Sequence, residues 1–98
     1  MRLPDDWGSG YANVWLGTTC EDQPNYDRRW PLLRDVPARV RFISYEPAIG
    51  ELTTLWGKPD WIICGGESGQ HAREMDPQWA RDLRDGSTRL GRKFFMKQ

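Results

Sequence analysis

Trp61-Ile-Ile-Cys-Gly-Gly-Glu-Ser-Gly69 passes from an unbroken apolar run straight into a polar, glycine-rich turn. A short run without polar alternation suits a strand covered on both faces, and such strands belong to parallel sheets. Upstream, Val40-Arg-Phe-Ile-Ser-Tyr45 reads as a second strand and ends at Glu46-Pro47, where Pro47 pushes Glu46 toward extended backbone and stops the pairing. Further upstream, Asn13-Val-Trp-Leu-Gly-Thr-Thr-Cys20 is apolar and β-branched, and downstream Lys93-Phe-Phe-Met96 closes the series. The segments between them have helical spacing. Tyr26, Trp30, Leu33 and Val36 predict a helix from about Tyr26 to Arg34 capped by Asn25, with Pro31 an awkward interior residue. Asp76-Pro77 is a helix start, Trp79, Leu83 and Leu90 share a face, and Gly91 supplies the stop. Gly86 weakens that helix by roughly 1 kcal/mol relative to alanine. A short helical turn is expected between Ile49 and Leu55.

The expected order is therefore β-α-β-(short α)-β-α-β. Right-handed crossovers then give an α/β fold with four short parallel strands and crossover helices, half of a (β/α)8 TIM-like barrel. Residues 1–12 are an irregular lead-in and residues 13–98 the half-barrel domain. A half barrel has two raw edges, which must be paired or covered.

The chain has 98 residues, with fourteen Lys+Arg against fourteen Asp+Glu. A domain of this size buries a modest core. Zero formal charge does not point to nucleic acid, whose non-specific binders are strongly basic. A hydrophobic fraction of 38% is low, yet the chain holds six Trp, three Tyr and three Phe, too many aromatics for a disordered chain. No apolar run approaches the ~18–20 residues that cross a membrane. Asp5 and Asp6 interrupt the start before a signal-peptide core forms, so the expected location is the cytoplasm. Cys20 and Cys64 are too few and too far apart for a disulfide framework or a metal site, and read as reduced thiols at strand ends. Trp15, Trp30, Trp61 and Trp79 fit core faces, while Trp7 and Trp56 fall in loops. Arg28, Arg29, Arg39 and Arg41 fit solvated faces.

In parallel α/β folds ligands bind at the carboxyl ends of the strands. Glu21 and Asp22 follow the first strand, Glu46 the second, Gly65, Gly66, Glu67, Ser68 and Gly69 the third, and Lys97 the fourth. Carboxylates from three loops would converge on one rim. Glycines in the third loop allow close backbone approach and an anion nest, and a turn that simply needs positive φ fits equally well. His71 and Arg73 lie just beyond. A lone His more often hydrogen-bonds at a surface than catalyses, and an arginine more often forms a surface ion pair than a phosphate clamp.

Asn13-Val-Trp-Leu-Gly-Thr-Thr-x-Glu-Asp-Gln, Asp27-Arg28-Arg29-x-Pro31-Leu32-Leu33, Pro37-Ala-x-Val-Arg-Phe-x-Ser-x-Glu46-Pro47, Trp61-x-Ile-x-Gly65-Gly66-Glu67-Ser68-Gly69 and Phe94-Phe95-x-Lys97-Gln98 occur in order. Together they resemble the C-terminal half of the phage gp-thirty-seven/gp-sixty-eight family, whose function is unknown. The resemblance implies a barrel whose other half carries a three-cysteine motif like that of radical S-adenosylmethionine enzymes. It implies that S-adenosylmethionine and a [4Fe–4S] cluster belong to a full-length relative, and that this chain alone binds neither cofactor nor metal. Glu46, Gly65, Gly66, Glu67, Ser68 and Lys97 match family motif positions and are the expected cofactor-facing residues, with Glu21, Asp22, His71 and Arg73 as weaker substrate-facing ones. No catalytic role carries over. Three readings follow: a half barrel inactive alone, which pairs with itself or with a complementary N-terminal half; a small anion- or nucleotide-binding module using Gly65–Gly69; or a protein–protein interaction module of phage or mobile-element origin.

Overall fold

The computed structural model describes residues 3–11 and 13–97. Met1, Arg2 and Ala12 of the expected lead-in, and Gln98 after the last strand, lie outside the described residues. Strands β1 (Trp15–Thr19), β2 (Val40–Tyr45), β3 (Trp61–Cys64) and β4 (Lys93–Met96) form one parallel sheet in the order β1-β2-β3-β4. Helices α1 (Gln23–Arg34) and α2 (Pro77–Arg89) connect β1 to β2 and β3 to β4.

The register sets rows across the sheet. Gly17, Phe42, Trp61 and Lys93 stand side by side, and Thr19, Ser44, Ile63 and Phe95 form the next row. Side chains alternate along a strand, so these rows share one face. The opposite face carries Ile43, Tyr45, Ile62 and Cys64, which pack with Cys20, with Tyr26, Trp30 and Leu33 of α1, and with Leu83 of α2 in one buried cluster. Both helices therefore cover the same face. The other face is left open, with Trp15 50% and Phe95 54% exposed.

This corrects the expectation that Trp15 and Trp61 lie in the core. They belong to the open face, where their rings meet at a centroid distance of 5.5 Å and the Lys93 ammonium sits 5.1 Å over Trp61. Phe42 lies across Gly17, occupying the space a Cβ there would need. An all-apolar strand gives no sign of which face its helices will cover.

Helix α1 starts earlier than expected. Asp22, not Asn25, is the cap: its Oδ1 accepts the Asn25 backbone N–H at 2.9 Å, and Pro24 occupies the first turn. The helix runs through Pro31 to Arg34. Near its end the Arg41 guanidinium donates to Leu33 O at 3.3 Å and, just beyond the helix, to Val36 O at 2.6 Å. Arg41 thus locks α1 to β2 instead of decorating a solvated face. Helix α2 has the expected Asp76 cap and stops at Gly91, which adopts φ 69°. Leu90, at the C-cap, is exposed instead of sharing the buried side of Leu83.

The expected helical turn between Ile49 and Leu55 does not form, so the β2–β3 crossover has no helix. Gln23 holds this segment extended. Its Oε1 accepts from Thr53 N at 3.0 Å and Thr54 N at 2.9 Å, while Gln23 N donates to Glu51 O. Tyr26 Oη donates to Trp56 O at 2.5 Å. Leu52, Leu55 and Pro59 are buried beneath. In the lead-in, Trp7 is buried and its Nε1 donates to Pro37 O, so it packs against the domain. No helix among the described residues is long and apolar enough to cross a membrane.

Candidate functional site at the carboxyl ends of the strands

The sheet ladder continues one residue beyond β2, β3 and β4. Gly65 N donates to Tyr45 O at 3.1 Å and Lys97 N to Cys64 O at 2.7 Å. Glu46, Gly65 and Lys97 are therefore neighbours across the sheet. Because Gly65 has no side chain, the Glu46 carboxylate leans over it. A Cβ at Gly65 would come within 2.9 Å of Glu46 Oε2. From there Oε2 reaches Lys97 Nζ at 3.4 Å, and Ser44 Oγ donates to Oε1 at 2.7 Å. Ser44 and Glu46 share a face because they are two residues apart on an extended chain. That alternation is the signal that could have assigned Ser44 its role. Pro47 follows across a cis peptide bond.

These residues open onto a pocket of about 480 Å³ lined by Glu46, Gly66, Glu67, Ser68 and Lys97. Within it, Glu67 does not present a free carboxylate. Arg73 donates to Oε1 from its backbone N and Nε, both at 2.8 Å, and to Oε2 from Nη2 at 2.6 Å. The Arg73 side-chain hydrogen bonds, then its backbone N–H, hold the Glu67 carboxyl down at about 2. The pair ties the glycine-rich turn to the segment after it. Glu46 and Lys97 remain the groups able to meet a ligand, the first an acceptor and the second a 64% exposed triple donor.

The weaker expected residues divide. Arg73 reaches the pocket rim through Glu67. His71 is exposed beyond the turn and lines no described pocket wall. Asp22 is committed to capping α1. Glu21 pairs with Arg29 at 3.3 Å, while Arg29 also donates to Thr19 O. Glu21 and Asp22 thus organise the β1–α1 turn, away from the pocket lining.

Cluster chemistry needs thiolate ligands. Cys20 and Cys64 are free and buried in the core. Burial, and next the Glu21 charge, pushes the Cys20 thiol up to about 12; burial, then Glu46, pushes Cys64 up to about 11. Both thiols are therefore core side chains held in the protonated form. Among the described residues no group of three His, Cys, Asp or Glu side chains is gathered as a metal site.

Neither the curated proteins nor the solved structures contain a match to this chain. A family model described as "Protein of unknown function (DUF5131)" matches residues 2–98. With nearly the whole sequence covered, the chain belongs to that family of uncharacterised proteins.

Proposed function

We propose that the chain is one half of a (β/α)8-type barrel whose rim binds a small ligand carrying an anionic group, and that it has no catalysis of its own. The observation that carries this reading is the Glu46–Lys97 pair spanning Gly65 at the mouth of an open pocket. Sequential strand order with both helices on one face suits successive barrel units, since doubly wound sheets reverse their order and carry helices on both faces. Lys97 and the backbone of Gly66–Ser68 would take the anion, and Glu46 would accept a hydrogen bond from the rest of the ligand. Glu67 would act as a brace for the turn. The resemblance to the phage gp-thirty-seven/gp-sixty-eight family makes S-adenosylmethionine one natural probe. Nucleotides and inorganic phosphate are others.

The test is calorimetric titration with S-adenosylmethionine, ATP and inorganic phosphate. Binding heat is expected with at least one, abolished in Lys97→Ala and weakened in Glu46→Gln. Absence of heat with all three overturns the reading. Anaerobic reconstitution with iron and sulfide should leave the chain without cluster absorbance, because its thiols are buried and protonated. Stoichiometric iron would contradict the assignment of the thiols to the core.

A further inference from the structure

We propose that residues 66–75 form a lid that swings as one body over the pocket at the rim. The inference rests on the rim-binding reading and deepens it by naming what closes the site.

The segment lies wholly between β3 and α2, and its two ends meet. A Cβ at Gly66 would stand 3.7 Å from Cβ of Met75, and Met75 packs against the buried cluster. A loop with touching ends and a packed base is an Ω loop, which holds its own shape. Within it, Arg73 closes a ring on Glu67 through its backbone N and Nε, both at 2.8 Å, and Nη2 at 2.6 Å. Inside that ring Ala72 N donates to Gly69 O at 3.3 Å, across a turn in which Gly69 takes φ 108°. Glycine adopts such a φ without steric cost.

Outside the ring the ties end. Residues 68–74 are all exposed. Among the described residues, no hydrogen bond or ion pair joins them to anything beyond the loop itself. A segment braced within and untied without moves as a body, on the microsecond-to-millisecond scale of other lids. Gly66 supplies the pivot. A Cβ there would meet only Met75 within 4 Å, so the backbone turns without displacing a neighbour.

The first limb of the loop is itself a wall of the pocket. Gly66, Glu67 and Ser68 line it together with Glu46 and Lys97, and they border a second hollow of about 260 Å³ beside Pro47. Any swing of the loop therefore changes the size of the site. The tip also carries chemistry suited to an anion. Ser68, Gln70 and His71 bear hydrogen-bond donors that face water, while the Glu67 charge is already matched by Arg73. Closure brings those donors to the side of the ligand that Lys97 does not reach, and it sheds water from the site.

Two introduced cysteines test the closure without any ligand. His71→Cys together with Lys97→Cys should cross-link on mild oxidation, because a disulfide forms only when the Cα atoms come within about 7 Å. Both positions are exposed, so the fold is spared, and the native Cys20 and Cys64 are buried. Amide relaxation of the wild-type chain should show residues 67–73 exchanging at one shared rate, and Arg73→Ala should replace it with unequal, faster motions. Absence of the cross-link, or loop amides as rigid as those of β3, overturns the lid. Whichever of S-adenosylmethionine, ATP or inorganic phosphate gives binding heat should suppress the shared exchange, and heat without suppression also overturns it. A loop that cross-links and exchanges as one body, in a chain that gives no heat with any of the three, defeats the rim-binding reading and leaves the closure standing.

Discussion

The two faces of this sheet are built from the same strands and differ in almost every other respect. The covered face is dry and interlocked: Ile43, Tyr45, Ile62 and Cys64 are buried against both helices. The open face places Trp15, Phe42, Trp61 and Phe95 in partial contact with water and ends in charged groups at one rim. Residues of comparable hydrophobicity therefore contribute differently to the isolated fold, according to the parity of their position along a strand. Stability is concentrated on one face, and the capacity for contact on the other.

The sharpest way to break this contrast is to compare truncations on the two faces. Ile43→Ala, on the covered face, should cost about 2–5 kcal/mol in urea unfolding, the range for large-to-small core substitutions. Phe95→Ala, on the open face, should cost much less, because that ring is already 54% exposed. Equal losses would mean that the two faces do not divide the work. A smaller effect is expected from Gly17→Ala, because the added methyl group meets the Phe42 ring. Overpacking of that kind costs about 1–3 kcal/mol. If the variant is as stable as wild type, the ring moves freely and the open face is less ordered than its contacts suggest. Removing the α1 cap with Asp22→Ala should cost about 1 kcal/mol. It should also leave ligand heat unchanged, which checks that Asp22 serves the covered side and not the rim.

The smallest effect concerns Glu67 and Arg73. The folded carboxyl titrates at about 2, below its ordinary 4.5, so its contribution is complete above pH 4.5 and is lost as the pH falls toward 2. NMR of the Glu67 carboxyl carbon should show this low midpoint. Arg73→Ala should return it toward 4.5 with little change in thermal stability at neutral pH, because the pair is solvent-exposed. An unchanged midpoint would remove Arg73 as the brace of the turn.

Much of the fold was legible in the sequence. Val40–Tyr45, Trp61–Cys64 and Lys93–Met96 are strands with the bounds their apolar runs imply, and Asp76-Pro77 begins a helix for the reason it was expected to. The choice of covered face was not legible. In Trp61-Ile-Ile-Cys64 all positions are apolar, and only the register with β2 and β4 separates inner from outer. Polar residues with long-range duties were also hidden. Arg41 bonds carbonyls of a neighbouring element, and Gln23 holds a crossover some thirty positions away, neither of which local periodicity encodes. At the rim, Glu46, Gly66, Glu67, Ser68 and Lys97 do line one pocket. The strand-end rule could not foresee that Glu67 is spoken for by Arg73 or that Asp22 is a helix cap.

Gly17 and Gly65 stand on the same open face, each beneath a long neighbour that lies down across it, Phe42 over one and Glu46 over the other. The effect is topographic. Two gaps in the pleat let tall side chains recline, so a surface rich in rings and charges has low relief. A surface of that kind presents ring faces and a carboxylate edge over a broad area, and it suits a wide, shallow contact better than a single inserted anchor.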